Sequence, residues 1–347
     1  MNPLRSIATE KRSPVNSNRH FLIIICLLFV FLLYVSSTTG LSSVFSIAKL
    51  QVFKMIFISI IIEALPFILI GVFVSAILQV FVTDQMVSRF IPKNPLLGII
   101  AASVLGIIFP ICECGMVPAI RKLIKKGMPL YVAVTFILVG PILNPIVFLS
   151  TITAFRNQPT VAYYRMGLAF VVALIVGLIV FQFVKSNQLR EQAVQTNEDH
   201  HHHHDHKHNT ASHNKFIEIV GHAVNEFFDM GKYLVFGSII VALLQIIISQ
   251  SSLIELGKSG PSANFLMMGL GFILSLCSTS DAFVAQSLQT IFTKSSLVGF
   301  MVFGPMINIK GILMMLAVFR SRFVLLLSTL VFIFVFIGTL VLQSINL

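Results

Sequence analysis

Apolar positions in this chain run in long blocks, with little alternation. "FLIIICLLFVFLLYV", "MIFISIIIEALPFILIGVFVSAILQVFV", "MPLYVAVTFILVGPILNPIVFLSTITAF" and "VAYYRMGLAFVVALIVGLIVFQFV" succeed one another, and further blocks follow residue 216. A helix needs roughly 20 apolar residues to cross a hydrocarbon core. Barrel strands would alternate polar and apolar residues with period two, and these blocks do not. The pattern predicts an all-α polytopic membrane protein whose first partner is the lipid bilayer. Composition agrees: 56% of residues are hydrophobic and 11% charged, with a mean hydropathy of +0.93.

Charge changes little in that picture. The net charge is +11, which in a soluble chain would suggest nucleic acid. Here the cations sit at the ends of apolar blocks, as the positive-inside rule requires, so no nucleic-acid partner is expected. Four cysteines without a CxxC pair give neither a disulfide framework nor a zinc ribbon. Residues 1–47 carry Arg5, Lys11, Arg12 and Arg19 before an apolar run, with no convincing small-residue cleavage site. They are expected to form a cytoplasmic N-terminus and a retained first transmembrane helix.

The chain also repeats its own pattern. "GPILN" at 140–144 returns as "GPMIN" at 304–308, with Cys112 and Cys277 at nearly equal distances upstream. Glu63, Gly71 and Gln79 are spaced by eights, and so are Asp229, Gly237 and Gln245. The order predicts two homologous repeats, 48–184 and 216–347, joined by a polar linker at 185–215. Internal duplication is a usual transporter architecture.

The stretch "FPICECGMVPAIRKLIKKG" decides orientation. If 96–117 crossed fully, "RKLIKK" would lie outside, against the positive-inside rule. If the chain turns back at "PICECG", the arm 98–111 is only about 21 Å long as a helix, too short for a core of roughly 30 Å. The second repeat has the same shape in "NFLMMGLGFILSLC", "STSD" and "AFVAQSLQTIFTK". Two such re-entrant or broken segments give seven crossings and inverted repeats. Full spanning gives nine crossings and parallel repeats.

Irregular backbone at membrane depth survives only when buried in protein or lining a wet cavity. Paired breaks therefore mark the expected substrate site. Pro110 and Gly115 favour a break. Across an extended segment, Cys112 and Cys114 project to one side, with Glu113 between them. Cys277, Ser278, Thr279 and Asp281 form the matching turn. Lys310 lies near the midplane, where an ionisable group is expensive, and is expected to pair with Asp281, to bind an anionic substrate or to relay a proton. Pro141 and Pro305 sit inside spanning segments, and Asn144 and Asn308 add amides there. Glu63 and Asp229 either serve a coupling pathway or lie shallow enough to be solvated.

The linker contains "NEDHHHHHDHKHN". His200, His201, His202, His203, His204, His206 and His208 are a candidate weak site for a transition-metal ion such as zinc, which imidazole suits. An incidental low-complexity linker is the plainer alternative.

The "PICECG" break, "GPILNP", "CSTSD" and "GPMINIK" together resemble the ArsP/YraQ-type predicted permeases, over about residues 60–345. The chain is similar to their Bacillus YcgR branch. The resemblance implies a multi-pass permease of the cytoplasmic membrane, with family motifs on Cys112, Cys114, Gly140, Pro141, Asn144, Cys277, Asp281, Gly304, Pro305, Asn308 and Lys310. Some relatives export trivalent organoarsenicals, and some are paired with a second membrane subunit. The expectation is a non-enzymatic permease that carries a small thiophilic solute or transition-metal species by alternating access. No Walker motif is present, so any ATP drive belongs to another chain. The alternative is a membrane thiol-redox protein using Cys112, Cys114 and Cys277. An intramembrane metallohydrolase is disfavoured because HExxH is absent.

Overall fold

The structure, a computed structural model, describes residues 47–81, 94–108, 113–184, 188–189, 213–247 and 261–345. The expected first crossing within 1–47 and the histidine tract lie outside the described residues. The chain divides into two compact units, Met1–Val52 and Phe53–Leu347. In the first, residues 47–52 open a helix. The second holds everything below.

Among the described residues the chain is helical, with a single isolated antiparallel bridge between Leu189 and Phe319 and no strand. The helices fall into two series of like order. The first series is α1 (Ile47–Phe81), α2 (Pro95–Ile108), α3 (Glu113–Lys125), α4 (Leu130–Val139), α5 (Pro145–Ala154) and α6 (Thr160–Phe183). The second is α7 (His213–Ile247), α8 (Pro261–Leu274), α9 (Asp281–Ser287), α10 (Lys294–Met306), α11 (Ile309–Val318) and α12 (Ser321–Ser344). α1 and α7 both have 35 residues, α2 and α8 both 14, and α6 and α12 both 24. Among the described residues four segments are long and apolar enough to cross a membrane: Leu50–Phe73, Thr160–Phe183, Lys294–Val318 and Ser321–Ser344.

Each series contains one helix interrupted at its glycine-proline motif. In the first, α4 stops before Gly140 and α5 starts at Pro145. Asn144 caps α5 by accepting a hydrogen bond from the Val147 N–H at 2.8 Å, and its amide donates to the Gly140 carbonyl at 3.3 Å. In the second, α10 ends at Met306 and Asn308 caps α11. Its Oδ1 accepts from the Gly311 N–H at 2.7 Å, and its amide donates to the Gly304 carbonyl at 2.9 Å. The chemistry is the same in both. Where the helix stops, the carbonyl of the motif's glycine has no backbone donor four residues on, and the asparagine amide supplies one while its oxygen caps the next helix.

A second shared device sits upstream. α2 packs on α4, and α8 on α10. A Cβ on Gly106 would stand 3.3 Å from the Gly140 Cα, and one on Gly271 would stand 3.4 Å from the Gly304 Cα. Small residues let helices approach this closely in lipid, where association rests on packing. α10 is the most enclosed element, buried from Ser295 to Met306. Outer helices show apolar side chains such as Met55, Ile62, Phe73, Phe183 and Leu325 on their exposed faces, which suits a lipid surround.

The two series also interlock. α3 packs on α11 of the other series, α9 packs on α5, and α6 packs on α12.

Candidate functional site

The break in the second series is fully described. α8 ends where Ser275 adopts φ 50°, the left-handed region that non-glycine residues rarely enter. Residues 275–280 are non-helical, and Asp281 opens α9. A carboxylate in a first helical turn is favoured by the unpaired N–H groups and dipole there. Thr279 Oγ1 donates to the Cys277 Sγ at 3.6 Å, and Cys277 carries a thiol, not a disulfide. Gln245 on α7 donates to the Leu274 carbonyl at 3.3 Å, satisfying one acceptor at the end of α8.

The groups that close on this break come from the first series. Arg165 of α6 is 0% exposed. Its Nη2 donates to Asp281 Oδ2 at 2.8 Å and to the Ser278 carbonyl at 2.9 Å, and its Nη1 donates to Thr151 Oγ1 at 2.9 Å. The guanidinium thus ties α5 and α6 to the turn and to α9. Two charges withdrawn from water cost several kcal/mol each unless geometry and further hydrogen bonds compensate. The guanidinium meets most of that demand with three acceptors on Nη1 and Nη2, while among the described residues its Nε has none. Ser280 Oγ donates to Glu63 Oε1 of α1 at 3.0 Å. Glu63 is half-buried and sits at the break, near the middle of its span.

This corrects one expectation. Asp281 does not pair with Lys310; Arg165 takes its carboxylate. The reason is packing. α9 lies on α5, which α6 flanks, whereas Lys310 lies on α11 against α7 and α3. Lys310 is 6% exposed. Among the described residues no hydrogen bond or ion pair engages it.

The first break is described in part. Cys112 lies outside the described residues, and the side chains of Glu113 and Cys114 do too, although both belong to the first turn of α3. The extended segment expected across both cysteines is therefore not found at Cys114, which is helical. Gly115 is buried against α1, where a Cβ on Gly71 would overlap its backbone. Glu63 and Gly71 are eight residues apart, about 12 Å along one helix. α1 therefore touches the second break at Glu63 and the first turn of α3 at Gly71. Ser278 and Thr279 stand in the turn, while Asn144 and Asn308 direct their amides to backbone, as above. The side chain of Asp229 and His200–His208 lie outside the described residues. Among the described residues no group of three or more His, Cys, Asp or Glu could hold a metal ion.

Sequence reasoning passed over Arg165, although an arginine within "VAYYRMGLAFVV" was itself a signal, being an ionisable group in an apolar span. It also passed over Gly106 and Gly271, each six residues before its half's cysteine.

Comparison with known proteins points one way. The ArsP_1 family model, described as a predicted permease, matches residues 49–344. The chain is 46% identical over 289 residues to UPF0718 protein YcgR of Bacillus subtilis (strain 168), covering 83% of this chain and 96% of that one. It is 39% identical over 270 residues to a putative two-component membrane permease complex subunit of Streptococcus mutans serotype c, covering 78% and 88%. No solved structure matches.

Proposed function

We propose, from the fact that the chain belongs to the ArsP_1 family of predicted permeases, that it moves a small thiophilic solute or transition-metal species by alternating access around its two breaks. The chain is a multi-pass protein of the cell membrane. The observation that carries the finer reading is that the second break and the start of α3, the helix that follows the first break, both lie against α1. Ser280 bonds Glu63, and Gly115 abuts Gly71. Irregular backbone buried near the middle of a span, as at the Glu63 contact, is the arrangement in which transporters hold their cargo.

In this reading residues 48–184 and 216–347 are inverted repeats joined by the linker 185–215. Support comes from the cytoplasmic end. The Arg320 N–H donates to the Gln188 carbonyl at 3.0 Å, beside the Leu189–Phe319 bridge. The start of the linker and the turn before α12 therefore share a face, as seven crossings require. Cys112, Glu113, Cys114 and Cys277 contact the cargo, with Ser278 and Thr279 beside Cys277. The histidine tract gathers metal ions weakly at the cytoplasmic mouth. The S. mutans relative's name as a complex subunit favours a second membrane subunit here.

Cellular content of arsenite and of zinc, measured with and without the protein, tests the reading. Expression is expected to change the content of one of them, and Cys112→Ser is expected to abolish the change. Unchanged content for both, with mixed disulfides trapped at Cys112 or Cys277, would favour thiol-redox chemistry instead.

A further inference from the structure

Among the described residues two cations, Arg165 and Lys310, lie buried in the helical core, and they are treated differently. Arg165 has Asp281 and two further acceptors. Lys310, at 6% exposure, has no acceptor among the described residues. A cation at membrane depth without a counter-charge is costly, and such residues face a pathway or a ligand.

The position of Lys310 sharpens the point. It is the second residue of α11, whose cap, Asn308, accepts from the Gly311 N–H. The next donor, the Ile312 N–H, bonds the Asn308 carbonyl at 2.9 Å. Among the described residues the N–H groups of Ile309 and Lys310 have no backbone acceptor. A helix start with open N–H groups attracts anions through those donors and the helix dipole. Side chains on a helix lean toward its N-terminus, the end at which those donors lie. The lysine stem runs past Gly237 of α7. A Cβ there would stand 3.5 Å from the Lys310 Cγ. α11 also packs on α3, the helix that begins at the first break.

The first series lacks this constellation. α5 begins Asn144-Pro145-Ile146, so its first helical position has no N–H and its second no charge. Its Ile146 is exposed.

We propose that Lys310 and the opening turn of α11 bind a small oxyanion, so that the cargo travels as an anion through the second series. This rests on the permease reading and narrows its substrate class. A compact ammonium with three rotatable donors, beside two backbone N–H groups, matches an oxyanion with several acceptor oxygens. It would repel a bare divalent cation.

The test is thermal unfolding of the purified full chain in detergent, followed by light scattering, with millimolar sulfate, phosphate, arsenate or chloride. At least one oxyanion is expected to raise the midpoint of the unsubstituted protein by several degrees more than chloride does. Lys310→Met removes the shift, Lys310→Arg retains it, and Lys232→Met, on an exposed position of α7, leaves it intact. Ile309→Pro copies the first series and deletes one donor while suiting the first helical position. It is expected to weaken apparent affinity by about tenfold, a loss of one hydrogen bond to charge, and it serves if Lys310→Met does not fold. A shift unchanged in both Lys310→Met and Ile309→Pro overturns the site, as does the absence of any oxyanion-specific shift. Flux in cells is read separately. A shift without flux would sink the permease reading and spare the site, and flux without a shift would do the reverse.

Discussion

Arg165 and Asp281 meet at 2.8 Å, one on α6 of the first helix series and the other at the start of α9 in the second, with side-chain exposures of 0% and 3%. Removing one member of such a pair strands the other in a dry interior, which costs about 3–5 kcal/mol. Removing both leaves no charge to strand. Arg165→Met is therefore expected to lower the unfolding midpoint and membrane yield sharply, and Arg165→Met with Asp281→Leu to recover most of the loss. Thermal unfolding of the two variants decides it. Equal losses would mean that the ion pair is not what holds the turn.

The Gly71–Gly115 contact gives a steric prediction. Alanine is the better helix former by about 1 kcal/mol, so an open helical glycine gains from the change. At Gly71 the added carbon meets backbone, which cannot swing away. Gly71→Ala is expected to be destabilising by about 1–3 kcal/mol, while Gly167→Ala, with nothing within 4 Å, holds or raises stability. Denaturation of both in one detergent checks the sign.

Each asparagine at a glycine-proline break both donates to a carbonyl and caps a helix. Asn144→Ala and Asn308→Ala are expected to cost about 1–2 kcal/mol each. Asn308→Asp keeps the acceptor for the Gly311 N–H and loses the donor to Gly304. Its carboxylate would be buried with one oxygen facing that carbonyl, so its unfolding midpoint is expected to fall below that of the alanine variant at neutral pH.

Ser280 and Glu63 join the second break to α1 through one hydrogen bond of 3.0 Å. A double-mutant cycle with Ser280→Ala and Glu63→Ala is expected to give a coupling of about 1 kcal/mol. Additive losses would place Glu63 outside the break.

These predictions divide into features that the sequence advertises and features that it hides. Long apolar blocks announce helices, because nothing else satisfies backbone groups in lipid. Proline within "GPILNP" and "GPMIN" announces interrupted helices, and the structure interrupts them there. Hydroxyl residues around Cys277 announce a turn, and α8 ends beside them. Which charge meets which is another matter. Asp281 pairs with a residue 116 positions away, and that choice follows from α9 lying on α5 and α6 flanking it. Such contacts belong to the crossing of the two series, which no local pattern records. Gly106 and Gly271 were readable in principle, since they recur at one spacing. Glycine in membrane helices is common enough that only the facing Gly140 and Gly304 give them meaning.

Topology is the last prediction, and it bears on all the others. Seven crossings put the linker in the cytoplasm together with Arg121, Lys122, Lys125, Lys126, Arg320 and Arg322, as the positive-inside rule demands. Nine crossings put the linker outside and keep Arg320 inside, so the Arg320 N–H to Gln188 carbonyl bond of 3.0 Å would have to bridge a hydrocarbon core of roughly 30 Å. Reporter fusions at Thr210 and Arg320 are therefore expected to read as cytoplasmic and one at Gln158 as external. Cysteines placed by Leu189→Cys and Phe319→Cys, the bridged pair, are expected to cross-link within one chain. An external reading at Thr210 would leave the two breaks entering from the same side, and the shared stretch of α1 could then no longer be the floor of an alternating pathway.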